Sequence, residues 1–420
     1  MSTHRRDFLR SSLAASTLVS IGGSTIPGFL ARSARAAGIP AGGDRILVVV
    51  QLLGGNDGLN TVVPHGIDGY HRNRRRLRLA EARLHRLDDE IGLHPGMGRM
   101  AELVEGGRLA IAQGVGYPNP DRSHFRSMEI WETARLDNRP DALEAGWLGR
   151  SLDQHPPRPG EDTPALHIGG GRSPLAMKAR SVAVPSLERL DQFKLQLAGS
   201  EGERRSAREA MGDVARPDRG DDPLLGFLRR STLAAYESSR RLEEVVGESA
   251  ESSYPNYDLA RRLEQIARII KAGFGTRIYY TRQDGYDTHA NQLDPHAALL
   301  NELSDSLAAF HDDLDKAGLA DRVAVLVFSE FGRRVGENAS HGTDHGAAAP
   351  VFVVGPVRQA GLVGEHPGLE EADLDEGDLR FHTDFRRVYA AMLGHWLGVP
   401  AAPIVGEGFD PLPLLPESRG

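Results

Sequence analysis

Four short segments of this sequence carry carboxylate and imidazole side chains beside apolar runs. Segments 54–60 (GGNDGLN), 284–289 (DGYDTH) and 329–333 (SEFGR) follow such runs, and segment 341–346 (HGTDHG) precedes one. Asp, Glu and His side chains brought together from several loops are what a divalent metal such as zinc or manganese requires. A single Asn-Asp-Gly motif is most often only a turn. Four such motifs at successive strand ends favour a metal site.

A fifth segment, 117–126 (YPNPDRSHFR), places Ser123 immediately before an apparent helix. A serine at that position can simply cap the helix, because its hydroxyl accepts a hydrogen bond from an unpaired backbone N–H. The same position also suits a nucleophile that attacks an anionic group, since the helix N-terminus carries unpaired N–H groups and the positive end of the helix dipole. The sequence leaves both interpretations of Ser123 open.

The elements that must position these segments are strands of a parallel sheet. Continuous apolar runs, typical of strands covered on both faces, occupy residues 45–53, 109–112, 276–280, 323–328 and 351–354. Residues 296–316 and 385–397 are predicted to form helices, the second capped by Thr383 or Asp384. The predicted fold class is α/β, a largely parallel sheet flanked by helices on both faces. Ligands of such sheets bind beyond the carboxyl ends of the strands.

The first 36 residues have the form of a twin-arginine (Tat) signal peptide. Arg5 and Arg6 lie in a short basic stretch, a weakly apolar run follows, and residues 34–36 suit signal peptidase. Glycines and a proline interrupt the apolar run, whereas a permanent transmembrane anchor needs about 20 mainly apolar residues. We therefore predict export by the Tat translocon, cleavage by signal peptidase after Ala36, and a periplasmic or secreted protein without a permanent anchor.

Composition excludes several classes of function. The formal net charge of −8 disfavours a nucleic-acid partner, because phosphate binding requires a basic face, and the arginines within residues 72–78 are interpreted as a solvated helix face. The absence of cysteine excludes disulfides, thiolate catalysis and zinc–cysteine sites. Residues 199–222 are highly charged without apolar periodicity, which is typical of a mobile connector. Residues 224–270 are predicted to be largely helical.

Five motifs together resemble one protein family. They are residues 54–60, 121–125, 286–292, 329–333 and 342–346. The set resembles the Tat-exported domain-of-unknown-function family 1501, from about residue 46 to residue 397. That family is similar to the alkaline phosphatase and sulfatase superfamily, whose members hydrolyse phosphate or sulfate esters at a two-metal site. The resemblance implies an alkaline phosphatase-like fold, with a single domain over residues 37–420.

The resemblance also implies which side chains bind metal: Asp57, Asp287, His289, Glu330 and His345. Ser123 matches the nucleophile of the superfamily. Asp284 is an alternative to Asp287, because the superfamily spaces this Asp and the following His further apart. Phe331 stands where the superfamily has a histidine. The second metal is therefore expected to be weak, absent or bound through another residue such as His124, and one or two zinc or manganese ions per chain are expected.

The leading hypothesis is a metal-dependent hydrolase of phosphate-type esters. Ser123 would attack an anionic small-molecule or polymer ester, and Arg122 or Arg333 would clamp its oxygens. Sulfate esters are less favoured, because Ser123 is not followed by the proline that formylglycine maturation requires. Two alternatives remain: a non-catalytic relative that keeps one metal and acts as a binding or assembly protein of the cell envelope, and a metal-free α/β envelope protein. Metal stoichiometry and esterase activity discriminate between these hypotheses.

Overall fold

The fold is seen in a computed structural model that describes residues 45–137, 143–154, 163–182, 184–188 and 252–417. It also describes the backbone of a short antiparallel hairpin, Leu18–Ile21 with Ser24–Pro27. The predicted signal peptide otherwise lies outside the described residues, as do the charged connector and residues 224–251 of the predicted helical segment. No helix among the described residues is long and apolar enough to cross a membrane.

A nine-stranded sheet forms the centre of the protein. Its strands, in chain order, are β1 (Ile46–Leu52), β2 (Leu109–Gly116), β3 (Ala165–Ile168), β4 (Ser186–Leu187), β5 (Ile278–Gln283), β6 (Val323–Ser329), β7 (Ala349–Val354), β8 (Gly361–Val363) and β9 (Thr383–Asp384). Their spatial order is β8-β2-β7-β6-β1-β5-β3-β4, and β9 also pairs with β2. Each apolar run identified in the sequence forms one of these strands, which confirms the predicted α/β class.

Strand β7 runs against the direction of the rest of this described sheet. It pairs antiparallel with both of its neighbours, β6 and β2, whereas β1 is parallel to β5 and β6. Because β7 is reversed, its amino end lies at the edge where the other strands have their carboxyl ends. The segment that precedes β7 therefore meets the segments that follow β1, β5 and β6.

Helices cover both faces of the sheet. The six longer ones are α1 (Gly98–Glu105), α2 (His124–Thr133), α3 (Trp147–Gln154), α4 (Asp258–Lys271), α5 (Leu293–Lys316) and α6 (Phe385–Ala390), which continues as a π-helix over Ala391–Leu397. Helices α1, α4 and α5 pack with Val48 and Val50 of β1 in one buried cluster. Helices α2, α3 and α6 pack with Leu47 and Val49 in the other. Alternate residues of a strand point to opposite faces, so β1 is apolar throughout because both faces are covered.

The two predicted helices are present with small differences at their ends. Helix α5 begins at Leu293, three residues earlier than the sequence pattern indicates, and ends at Lys316 as predicted. Helix α6 is capped by Asp384, whose side chain accepts a hydrogen bond from the backbone N–H of Arg386 at 2.9 Å. This bond satisfies one of the N–H groups that a helix start leaves unpaired.

Short elements complete the described part of the chain. Three small strands, Val62–Val63, Gly92–Leu93 and His85–Arg86, form a separate sheet, and Leu374–Asp375 pairs with Asp378–Leu379. Short α-helices span Gly58–Thr61, Asp68–Asn73 and Ala402–Val405, and 3₁₀ turns span Glu81–Arg83, Pro95–Met97, Leu175–Met177, Ala320–Arg322 and Glu371–Asp373.

Candidate metal centre

Three loops and the start of one helix meet at the carboxyl edge of the sheet. Asp287 and His289 follow β5, and His124 is the first residue of α2. His345 precedes the reversed strand β7 and forms an isolated backbone bridge with Arg333, which follows β6. The reversal of β7 is what brings His345 to this edge.

One carboxylate oxygen lies at the centre of the group. Oδ1 of Asp287 is 3.0 Å from Nε2 of His289, 3.1 Å from Nε2 of His345 and 3.5 Å from Nε2 of His124. The Nε2 atoms of His289 and His345 are themselves only 2.9 Å apart. Three imidazole nitrogens thus surround one carboxylate oxygen.

The opposite nitrogen of each of these histidines faces a hydrogen-bond acceptor. Nδ1 of His124 lies 2.8 Å from Oε1 of Glu330, Nδ1 of His345 lies 2.8 Å from the carbonyl oxygen of Arg122, and Nδ1 of His289 lies 3.4 Å from Oδ1 of Asp344. An acceptor at Nδ1 holds the proton there and leaves a lone pair on Nε2. This is the arrangement of metal-binding histidines, whose outer nitrogen donates to a carboxylate or a carbonyl.

His124 provides an independent indication that a group belongs between these side chains. Its Nε2 is buried and has no hydrogen-bond partner, although unpaired buried polar atoms are costly and uncommon. The hydrogen bond from Nδ1 to Glu330 raises the pKa of His124 above its usual value, against the effect of its partial burial. A cation at Nε2 would satisfy this atom.

The spacing of the donor atoms fits zinc. Ligand atoms of His124, Asp287 and His345 all lie within 4.8 Å of one another, the one group of three or more such residues found in the described ranges. Tetrahedral zinc with bonds of about 2.0–2.1 Å separates neighbouring ligand atoms by about 3.3 Å. Four of the six separations among the four donor atoms, from 2.9 to 3.5 Å, bracket that value, although His289 is outside the group of three residues. Nitrogen-rich donor sets of this kind favour zinc over calcium or magnesium.

Arg333 holds the loops of this site together. Its side chain is fully buried and donates to the carbonyl oxygens of Gly55 and Thr343, each at 2.7 Å, and to Oδ1 of Asp287 at 2.7 Å. Burial alone would raise the pKa of Asp287. Arg333 first, and then His345 and His289, lower this pKa to about 2. Asp287 is therefore ionised, as a metal ligand must be, and Arg333 faces the protein interior.

Asp57 is outside the histidine cluster and forms a fully buried ion pair with Arg74. Nη1 and Nη2 of Arg74 donate to Oδ2 and Oδ1 of Asp57 at 2.5 and 3.0 Å. Burial alone would raise the pKa of Asp57, but the charge of Arg74 and its hydrogen bonds keep it below the usual value. The interpretation of residues 72–78 as a solvated face is wrong for Arg74, which is fully buried because it neutralises this carboxylate.

Glu330 is buried and is engaged by other groups. Its Oε1 accepts hydrogen bonds from the backbone N–H of Gly54 at 2.9 Å and from His124, and its Oε2 accepts one from Oγ of Ser329 at 3.1 Å. The structure thus brings three of the five ligands implied by the resemblance into the cluster and puts Asp57 and Glu330 in other interactions. Asp284, the alternative to Asp287, is exposed and outside the cluster.

Phe331 packs inside the cluster. Its ring centroid lies 5.0 Å from that of His124 and 4.8 Å from that of His345. Gly55, at φ +77°, passes so close that a Cβ there would lie 2.3 Å from Cε2 of Phe331. Phe331 therefore fixes the two imidazole planes by contact rather than by ligation.

Arg122 and Ser123 directly precede His124 in the chain. Ser123 is exposed, occupies the cap position of α2, and its hydroxyl makes no capping hydrogen bond. Arg122 donates to the buried carboxylate of Asp378 at 2.8 and 2.9 Å, while its carbonyl oxygen holds His345. The simple capping interpretation of Ser123 is thus not supported.

Comparison with known sequences assigns the family. The sequence model described as "Protein of unknown function (DUF1501)" matches residues 44–404. The chain belongs to this family. The match confirms the resemblance drawn from the five motifs. No curated protein matches the sequence.

Several solved structures show a low similarity to this DUF1501 protein. The lipoteichoic acid synthase LtaP from Listeria monocytogenes has 8% identity and a TM-score of 0.35, over 84% of this chain and 73% of that one. The C-terminal periplasmic domain of EcEptC from Escherichia coli has 11% identity and a TM-score of 0.36, over 90% and 88%. A protein in the alkaline phosphatase superfamily from Vibrio parahaemolyticus has 11% identity and a TM-score of 0.33, over 81% and 71%.

Two residues of this DUF1501 site have a larger part than their sequence motifs predict. His124 is expected only as an alternative ligand of a second metal, although a histidine between a strand end and a helix start is itself a signal. Gln292 belongs to the motif 286–292 but has no predicted role, and it is fully buried beside Asp57. A buried glutamine at a helix start has no distinctive spacing, so only the folded chain reveals its partners.

Proposed function

We propose that this protein is a zinc-dependent hydrolase of phosphate-type esters, with Ser123 as its nucleophile. The observation that carries the proposal is the convergence of three imidazole Nε2 atoms on Oδ1 of Asp287, at 3.0, 3.1 and 3.5 Å. His124, Asp287, His289 and His345 are the side chains that would hold the ion. Its expected chemistry is to lower the pKa of a nearby hydroxyl and to stabilise charge on an ester oxygen.

The chain itself supplies the positioning of an anionic ester. Ser123 stands at the start of the ten-residue helix α2, where unpaired N–H groups and the helix dipole favour negative charge. Its hydroxyl is exposed and is not used as a cap. Glu330 and Asp344 keep the protons of His124 and His289 on Nδ1, so both Nε2 atoms remain available.

The proposed roles differ from those that the resemblance implies at two positions. Glu330 would orient His124 instead of binding metal directly, and Asp57 would neutralise Arg74. Arg333 would hold the loops rather than clamp a substrate, because its side chain is fully buried. One zinc ion per chain is therefore expected. Of the two arginines considered, Arg122 is the one that reaches solvent.

The test is elemental analysis of the mature, folded protein together with a panel of aryl phosphate and sulfate esters. Ser123→Ala should abolish turnover and keep one zinc per chain, whereas His345→Ala should lose both. Ser253→Ala, at an exposed serine outside the centre, serves as the control and should keep both. Zinc binding without any turnover would reject the hydrolase, and unchanged turnover of Ser123→Ala would remove that residue from the mechanism.

A second candidate is a metal-stabilised binding or assembly protein of the cell envelope. It is favoured by the four donors themselves, because a zinc ion held by four protein ligands has no open position for a substrate, as in structural sites. Phe331, in the place of a superfamily ligand, favours it as well. A raised melting temperature with zinc, without activity on any ester, would support this candidate, since a bound metal stabilises the native state.

Export is part of the same proposal. The paired arginines Arg5 and Arg6 and the small residues at 34–36 support Tat transport of an already folded protein into the periplasm or medium. Replacing both arginines by lysine should retain the precursor in the cytoplasm. Processing of that variant at an unchanged rate would argue for another export route.

A further inference from the structure

A buried amide connects the loops that carry the proposed metal ligands. Gln292 is the residue immediately before helix α5 and is fully buried. Its Nε2 donates to Oδ2 of Asp57. Its Oε1 accepts hydrogen bonds from Oγ1 of Thr343 at 2.6 Å and from Oγ1 of Thr288 at 3.1 Å. The amide thus uses both of its ends on named partners.

The orientation of this amide is dictated by Asp57. A carboxylate paired with the two guanidinium nitrogens of Arg74, at 2.5 and 3.0 Å, is ionised and can only accept hydrogen bonds. The NH₂ end of Gln292 must therefore face Asp57, and the oxygen must face the two threonines. Both threonine hydroxyls then donate to the same oxygen.

The two threonines belong to the two ligand loops. Thr288 lies between Asp287 and His289, and Thr343 lies two residues before His345. The loops also share one backbone hydrogen bond, from the N–H of Thr343 to the carbonyl oxygen of Thr288 at 3.3 Å. A single amide oxygen therefore bridges the loops that carry three of the four donors, in addition to Arg333 and this backbone hydrogen bond.

We propose that Gln292 is a positioning residue for the metal, acting through Thr288 and Thr343. This inference rests on the metal site of the proposed function. It assigns Asp57, a ligand in the superfamily pattern, a different task here, which is to orient the amide that sets the ligand loops. Changes to groups that orient metal ligands weaken metal binding by about 10–100-fold, and the same range is expected here.

The test removes only the hydrogen bonds that the hydroxyl groups of Thr288 and Thr343 donate to Gln292. Thr343→Val and Thr288→Val keep the shape of each side chain and remove its donor, while Thr343→Ser and Thr288→Ser keep the donor. Zn²⁺ affinity of the mature full chain is measured by competition with a chelator. The absorption spectrum of the Co²⁺-loaded protein reports the ligand geometry independently of activity. Each valine variant should bind Zn²⁺ about 10-fold more weakly, with an altered Co²⁺ spectrum, and each serine variant should restore both.

A double-mutant cycle shows whether the effect passes through the amide. Gln292→Met removes the oxygen that both hydroxyls contact, so Thr343→Val should weaken Zn²⁺ binding no further in that background. The melting temperature of the chelator-treated protein controls for loss of the fold, and the near-isosteric valine variants remain informative if Gln292→Met does not fold.

The outcomes separate this inference from the proposed function. Wild-type protein that binds no Zn²⁺ would overturn the metal site and the positioning role together. Wild type that binds Zn²⁺ with valine variants of equal affinity would overturn only the positioning role. Equal losses of Zn²⁺ affinity in the valine and serine variants would also overturn it, because the threonine hydroxyl would then not be responsible for the tighter binding of wild type.

Discussion

Oε1 of Glu330 lies 2.8 Å from Nδ1 of His124 and also accepts a hydrogen bond from the backbone N–H of Gly54 at 2.9 Å. One buried carboxylate therefore ties the start of α2 to the loop after β1. This relationship decides which nitrogen of His124 carries the proton, and so which nitrogen is available to a metal.

Glu330→Gln should weaken zinc binding about 10-fold, because an amide polarises the imidazole of His124 less than a carboxylate does. The protein should still bind one zinc ion per chain. Chelator competition measures the affinity. Glu105→Gln is the matched control, since Glu105 is exposed at the end of α1, which leads to the opposite edge of the sheet. Loss of one of two zinc ions in Glu330→Gln would instead support direct ligation by Glu330.

Asp57→Asn should unfold at a clearly lower temperature, because it leaves the buried guanidinium of Arg74 without its counter-charge. Removing one partner of a buried pair costs about 3–5 kcal/mol, which corresponds to a fall of about 4–6 °C in Tm for a protein of this size. Arg72→Met, in an exposed pair with Glu370, should change Tm little. Unchanged stability of Asp57→Asn, with loss of metal, would favour Asp57 as a ligand.

Acid should destabilise the metal-free protein in part through His167. Burial, and then the charges of Arg282 and Arg262, lower the pKa of His167 to about 4, whereas an imidazole in an unfolded chain titrates near 6.5. Between these values the unfolded state binds a proton that the folded state does not. The free energy of unfolding should therefore fall as the pH decreases from about 6.5 to 4, by about 2–3 kcal/mol from this group.

Urea unfolding in the presence of chelator, at several pH values across this window, measures the effect. His167→Gln should show a shallower dependence on pH than wild type, and His341→Asn, at an exposed position, should keep the wild-type slope. Parallel curves for His167→Gln and wild type would contradict the assignment.

Gly55→Ala should destabilise the protein more than Gly107→Ala. Both glycines have positive φ, +77° and +74°, so both substitutions carry the same backbone strain of about 1–2 kcal/mol. A Cβ at Gly55 would lie 2.3 Å from Phe331, whereas nothing lies within 4 Å of one at Gly107. Because Phe331 packs against His124 and His345, zinc affinity should also fall in Gly55→Ala alone. Equal effects of the two substitutions on Tm and affinity would refute this role of Phe331.

Most of the fold could be predicted from local pattern. Strands β1, β6 and β7 lie within two residues of their apolar runs, because a strand covered on both faces must be apolar at every position. Strand β5 begins at Ile278 rather than at residue 276, and β2 extends to Gly116. Such ends depend on hydrogen bonds to neighbouring strands, which composition does not record.

The candidate site was predictable only in part. Asp287, His289 and His345 occur in motifs that mark strand ends, and the structure brings them together. The partners of Asp57 and Glu330 are Arg74 and His124, which no local pattern connects to them. An arginine within a charged run is typical of a solvated surface, so the burial of Arg74 follows only from the carboxylate that it meets.

The sequence by itself determined the α/β class, the family and the residue types from which a metal site can be built, because periodicity and motif spacing are local properties of the chain. Only the tertiary structure decided the direction of β7, the hydrogen-bond acceptor at each histidine Nδ1 and the partners of the Gln292 amide. Each depends on atoms far apart in sequence, as with Gln292 and Asp57, 235 positions apart. The folded chain alone determines whether a carboxylate faces a metal or an arginine.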